Sequence, residues 1–259
     1  MTILKEGGNI WPDQTQRINQ GDVESTVQFV EKVTGLPLVD NMLGTTGKKA
    51  TSGDLDLAVD VQKNSKADIE AKLKAWVSEN HPDDDPKEWI KKSGISVHFK
   101  TPIKGDEANG FVQTDLMFGD PEWMKFALTG SGEGSEFKGV HRHILLSSIA
   151  KQRIDDNHPE GLKWSTQAGL VDRATNETVT KDGNQIAKML LGQTATVKDI
   201  TSVENIINYV KKLPNYEELV ADAREAFAKD GLELPKAGQV ESFQPGSIGW
   251  MRQMIDIVS

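Results

Sequence analysis

Two aspartates separated by one residue, Asp54 and Asp56, are the side chains in this sequence best placed to do chemistry. They lie in Ser52-Gly53-Asp54-Leu55-Asp56-Leu57-Ala58-Val59-Asp60, where apolar and polar residues alternate with the period of two that a β-strand imposes. Leu55, Leu57, Val59 and Val61 then face one side, and Asp54, Asp56, Ala58 and Asp60 the other. The two carboxylates project in parallel, roughly 6–7 Å apart along the strand. They repel each other unless positive charge sits between them, and a hard divalent cation such as Mg²⁺ prefers oxygen ligands of this kind. Asp60, farther along the same face, is expected to be a solvated strand end.

Holding two metals takes a third carboxylate, for which Asp115 is the candidate. In Phe111-Val112-Gln113-Thr114-Asp115-Leu116-Met117-Phe118, the residues Val112, Thr114, Leu116 and Phe118 share one strand face. Asp115 shares the other with Gln113 and Met117. An aspartate in an otherwise apolar strand is costly to bury unpaired, so it calls for a cation or for hydrogen-bond donors. A strand neighbouring Asp54–Val61 would point Asp115 into the same site.

The elements that must position these residues follow from pattern. Asp22 to Thr34 reads as a helix with Asp22 at its N-cap, stopped by Gly35 and Pro37. Leu38 to Leu43 reads as a short strand, and Gly44 to Gly53 as a polar, turn-rich connection. Ser65 caps a helix to about Ser78 with Ile69, Leu73, Trp76 and Val77 on its apolar face; Pro86 to Lys92 reads as a short helix. Ile95 to Phe99 and Phe111 to Phe118 are two further strands. Pro121 opens a helix, and the Gly130–Ser135 loop marks the boundary. Beyond it come a helix from about Phe137 to Lys151, a hairpin in Leu162 to Val179, and helices at Gln185–Leu191, Val203–Leu213, Tyr216–Lys229 and Ile248–Val258. The expected fold class is α/β in the α+β sense: a small mixed sheet packed on helices in residues 1–129, then a mostly helical region in 130–259.

The small turn Gly44-Thr45, the strand Ser52-Gly53-Asp54-Leu55-Asp56 and the later Asp115 together resemble the DNA polymerase beta-type nucleotidyltransferase superfamily. Thr45 stands where that family carries Ser, and the resemblance covers roughly residues 38–118. The pattern is also similar to compact phage-encoded nucleotidyltransferases. The resemblance implies transfer of a nucleoside monophosphate from an NTP to an acceptor hydroxyl, with pyrophosphate released. It implies two Mg²⁺ (Mn²⁺ as a substitute) held by Asp54, Asp56 and Asp115, about 3.5–4 Å apart and clamping both ends of an in-line displacement. Asp115 is alternatively a general base. Thr45, Ser52 and the backbone N–H groups near Gly44 and Gly53 would cradle phosphate oxygens, and Lys48 and Lys49 would neutralise the triphosphate or be solvated loop lysines. The acceptor class stays open among RNA, a small molecule and a protein side chain.

Composition narrows the rest. With 259 residues the chain is long enough for a substantial core. No window approaches 18 uninterrupted apolar residues, so no membrane partner is expected. Met1 to Pro12 carries charges and glycines where a secretory signal has an apolar core, and the absence of cysteine excludes disulfides and thiolate chemistry. A cytoplasmic location is expected. The net charge of −9 opposes non-specific attraction to nucleic acid without forbidding a local basic groove.

Rival motifs fail on spacing. Gly44-Thr-Thr-Gly47-Lys48-Lys49 has two residues between its glycines where a P-loop has four. An Asp-x-Asp phosphatase wants Thr or Val where Ala58 stands. Asp-x-Asp also serves metal-dependent sugar transferases, and a non-catalytic nucleotide- or protein-binding module on the same fold is the other alternative. His141 and His143 diverge by ~200° on a helix, so one is expected packed and the other exposed. Lys138 and Arg142 are read first as a solvated basic face and second as phosphate contacts; the Gly130–Ser135 loop is read first as a connector and second as a lid. Trp76, Trp89, Trp123 and Trp250 are expected in cores, and Trp164 is a packing residue or a base-stacking platform.

Overall fold

The Leu55–Leu57–Val59 alternation forms the strand that anchors the amino-terminal half. A computed structural model describes residues 10–129, 135, 137 and 139–236, and its architecture is α+β. The chain divides into two compact units between Thr129 and Gly130. No helix among the described residues is long and apolar enough to cross a membrane.

The first unit runs β1 (Ile18–Asn19), α1 (Gln20–Thr34), β2 (Thr51–Ser52), β3 (Asp54–Asp60), α2 (Lys66–Asn80), β4 (Ile90–Ser93), β5 (Ser96–Pro102), β6 (Phe111–Gly119) and α3 (Pro121–Ala127). Its main sheet has the order β3-β6-β5-β4, with β3 and β6 parallel and the other pairs antiparallel. β1 pairs with β2 as a separate two-stranded ribbon. Leu55, Leu57, Val59, Val97, Phe99, Val112 and Leu116 from one sheet face share a core with Val27 and Val30 of α1 and Ile69, Leu73 and Val77 of α2. Each such side chain contributes about 1.5–3 kcal/mol by leaving water. The opposite face holds a smaller cluster, Leu43, Ala58 and Met124, which seats α3.

Local chemistry explains the element ends. Gly35 closes α1 in the left-handed region at φ 73°, donating its N–H to the Glu31 carbonyl. Ser65 caps α2 by accepting from the Asp68 N–H at 3.0 Å, and Asp120 caps α3 through the Trp123 N–H. Four expectations change. α1 starts at Gln20 with Asn19 at the N-cap, because β1 ends there; Asp22 lies in the first turn and pairs with Lys104 at 3.0 Å. Val39–Asn41 is a 3₁₀ turn in place of a strand, since the Glu31 carboxylate takes the Leu38 and Val39 N–H groups; only Met42 bridges to Leu57. The helix expected at Pro86–Lys92 shrinks to the 3₁₀ turn Pro86–Glu88, because residues from Ile90 onward pair with β5. Val61 lies past the end of β3 and is 50% exposed.

In the second unit the described elements are α4 (Gly139–Lys151), β7 (Leu162–Ser165), β8 (Gly169–Asp172), β9 (Thr178–Thr180), α5 (Gly183–Leu191), α6 (Val203–Val210), α7 (Tyr216–Leu219) and α8 (Ala221–Lys229). The single hairpin expected in 162–179 is an antiparallel three-strand meander, with an additional turn at residues 166–168. The helix expected across 216–229 is broken at Val220. Residues 130–134, Lys138, Trp250 and the helix expected at 248–258 lie outside the described residues.

Candidate metal centre

The β3–β6 register sets Asp54 opposite Gln113 and Asp56 opposite Asp115. Residues in register present their side chains to the same sheet face, so Asp115 joins Asp54 and Asp56 on the face away from α1 and α2. One carboxylate oxygen of each aspartate lies within 4.8 Å of those of the other two, and all three side chains are half-buried.

The turn before β3 is stitched to this strand. The Leu43 N–H donates to the Asp56 carbonyl at 2.8 Å, and the Asp56 N–H donates to Thr46 Oγ1 at 3.1 Å. Gly44, at φ 57°, is thereby pressed against the site: a methyl group there would lie 3.9 Å from Asp56 Oδ2. Thr45 is exposed in the turn, whereas the Thr46 hydroxyl is buried. Lys48 is exposed. Gly53 forms the bend between β2 and β3, and Ser52 is buried with its Oγ lacking a hydrogen-bond partner.

Crowding three carboxylates here has an electrostatic cost. Burial, then repulsion from Asp54 and then from Asp115, pushes the Asp56 carboxyl up to about 7. Asp54 is also raised, by burial first and Asp115 second, against the opposing influence of its own backbone N–H and of Arg17. Among the described residues, no Lys, Arg or His nitrogen lies within ion-pair distance of Asp54 or Asp56. A cluster that repels itself and offers only oxygen donors fits a hard divalent cation, which removes the repulsion on binding. The cluster could therefore bind a metal.

Three further residues near this cluster act on its charges: His98, Arg17 and Gln113, the last already expected on the Asp115 face. His98 Nδ1 lies 2.7 Å from Asp115 Oδ1, and His98 Nε2 lies 2.7 Å from Ser93 Oγ. The Gln113 amide donates to both Asp115 oxygens, at 2.9 and 3.1 Å, while its own oxygen accepts from the Ile10 N–H. Arg17, held to Thr51 by two hydrogen bonds, adds positive potential beside Asp54. The polar alternation Ser96, His98, Lys100 within Val97, Phe99, Thr101 is visible in the sequence; which carboxylate His98 meets depends on the β5–β6 register.

The remaining candidates fall elsewhere. Asp60 pairs with Lys63 at 3.2 Å and accepts from the Gln62 N–H, so it ends the strand at the surface. His141 is buried against Phe227 and bonded to Asp230, and His143 is half-buried. Arg142 is fully buried, which overturns the solvated basic face: its Nε donates to the Ile200 carbonyl and its guanidinium lies over Trp164. Trp89, Trp123 and Trp164 are core residues, and Trp76 is half-buried against Phe29, Trp89 and Phe99. Compared with protein-family models and with curated proteins, the chain matches none.

Proposed function

We propose that this protein is a Mg²⁺-dependent nucleotidyltransferase that moves a nucleoside monophosphate from an NTP to an acceptor hydroxyl. The observation that carries the reading is the parallel register of Asp56 with Asp115, which converges three carboxylates on one face of the sheet. A single strand with Asp-x-Asp supports many chemistries; a third aspartate delivered in register from a second strand supports metal-assisted phosphoryl chemistry far more narrowly.

In this reading Asp54, Asp56 and Asp115 hold the cation, which when bound supplies Lewis acidity toward phosphate oxygens and the acceptor hydroxyl. The acceptor oxygen bonds to the α-phosphorus, the bond from that phosphorus to the bridging oxygen breaks, and pyrophosphate leaves while the acceptor proton passes to solvent. Gly44 supports phosphate approach because it offers no side chain beside Asp56. The partnerless Ser52 hydroxyl and the Arg17 guanidinium suit phosphate oxygens. A net charge of −9 favours a small-molecule or protein hydroxyl over a long nucleic acid as acceptor.

The test incubates the protein with each α-labelled NTP, Mg²⁺ or Mn²⁺, and total cellular RNA with protein extract. Label is expected on one acceptor class, with pyrophosphate released. Asp54→Asn and Asp56→Asn are each expected to lower the rate by at least ~100-fold, about 2.7 kcal/mol of transition-state stabilisation. Full transfer by both variants sinks the site assignment.

A further inference from the structure

Asp115, on the interior strand β6, is held by two neighbouring side chains. Its Oδ1 receives His98 Nδ1 at 2.7 Å and Gln113 Nε2 at 2.9 Å, and its Oδ2 receives only the longer Gln113 contact at 3.1 Å. Asp54 and Asp56, in contrast, have no side-chain donor among the described residues. His98 is buried to 6% exposure in β5, directly opposite Asp115 in the β5–β6 register, so its ring has little freedom to leave.

We propose that His98 is a positioning residue that orients Asp115 for the cation, with Ser93 fixing the imidazole. This rests on the metal reading of the three aspartates and goes beyond it by naming what sets their geometry. A carboxylate ligand can only accept, which puts the proton of a neutral imidazole on Nδ1 and leaves Nε2 to accept from the Ser93 hydroxyl at 2.7 Å. The Gln113 amide is oriented in turn, because the Ile10 N–H donates to its oxygen at 2.9 Å and so turns its NH₂ toward Asp115. Both donors converge on Oδ1, and Oδ2 is the oxygen left to a metal. Donors that fix a ligand in this manner are worth about 10–100-fold in metal affinity.

The experiment measures Mn²⁺ binding alone, by calorimetry and by the paramagnetic resonance of free Mn²⁺, on wild type, His98→Asn, His98→Gln and His98→Ala. The Asn amide nitrogen reaches the position of Nδ1, whereas the Gln amide nitrogen reaches that of Nε2. His98→Asn is therefore expected to bind within about 3-fold of wild type, and His98→Gln and His98→Ala at least ~10-fold more weakly. A purely structural role would not separate Asn from Gln in this way. Equal affinity across the series, or equal loss in Asn and Gln, overturns the role of His98. Wild type that binds no Mn²⁺ overturns the metal reading with it, whereas Mn²⁺ binding that follows the expected order without nucleotidyl transfer leaves this inference standing and removes only the proposed reaction. Should the variants not fold, the imidazole ¹⁵N shifts of His98 in the Mg²⁺-loaded wild type are expected to show the proton on Nδ1 and an accepting Nε2, and the proton on Nε2 overturns the proposal.

Discussion

Asp56 shows what crowding three carboxylates on one sheet face costs. A carboxyl raised from 3.8 to about 7 in the folded protein binds a proton there while the unfolded chain has already lost it. Between these values the folded state carries more protons, so the Asp56 contribution to stability falls as pH rises from about 4 to about 7 and stays low above. The penalty at pH 8 is roughly 2–4 kcal/mol. Melting temperatures of the metal-free protein are expected to show this as a gap that opens with pH: Asp56→Asn melts higher than wild type at pH 8 and level with it near pH 4. Mg²⁺ is expected to raise the wild-type midpoint more at pH 8 than at pH 5, because it binds the ionised form and must displace a proton at the lower pH. A gap independent of pH would count against the raised Asp56. At this scale the sequence was informative about residue type. The alternation of Asp54 and Asp56 with Leu55 and Leu57 was enough to put two carboxylates on one face.

At the scale of elements, the strands carry the site and the preceding turn shapes it. Two polar side chains separate these roles. Ser65 caps α2, whose buried residues Ile69, Leu73 and Val77 pack on the face away from the carboxylates. Thr46 accepts the Asp56 N–H, so it ties the Gly44 turn to the acidic strand itself. Ser65→Ala and Thr46→Val are each expected to cost about 1 kcal/mol of stability in denaturant titrations. Only Thr46→Val is expected to weaken Mn²⁺ binding as well, which calorimetry on the two variants would check. Elements governed by local chemistry were legible: α2 with its Ser65 cap, α3 behind Asp120 and Pro121, and the Gly35 stop of α1. Elements decided by a distant partner were not. Residues 39–41 wind into a turn because Glu31 reaches them from α1, and residues 90–93 extend because β5 offers a hydrogen-bonding edge.

For the whole molecule, the first unit contains its own core and every residue assigned to the metal centre. A fragment ending at Thr129 is expected to unfold cooperatively and to bind Mn²⁺ as the full chain does, read by thermal circular dichroism and calorimetry. A fragment without a cooperative transition would show that the second unit is required for the first to fold.

The line between local and distant information runs through the site itself. Periodicity, caps and breakers act within a few residues, and they sufficed to set out the acidic strand, the strand bearing Asp115 and the helices that cover their apolar face. Which residue of one strand lies opposite which of another depends on hydrogen bonds between segments some 60 residues apart, and a slip of one position would turn Asp115 to the other face. The same non-local pairing put His98 beside Asp115, and packing in the second unit buried Arg142 against Trp164 where helical spacing alone suggested a surface charge.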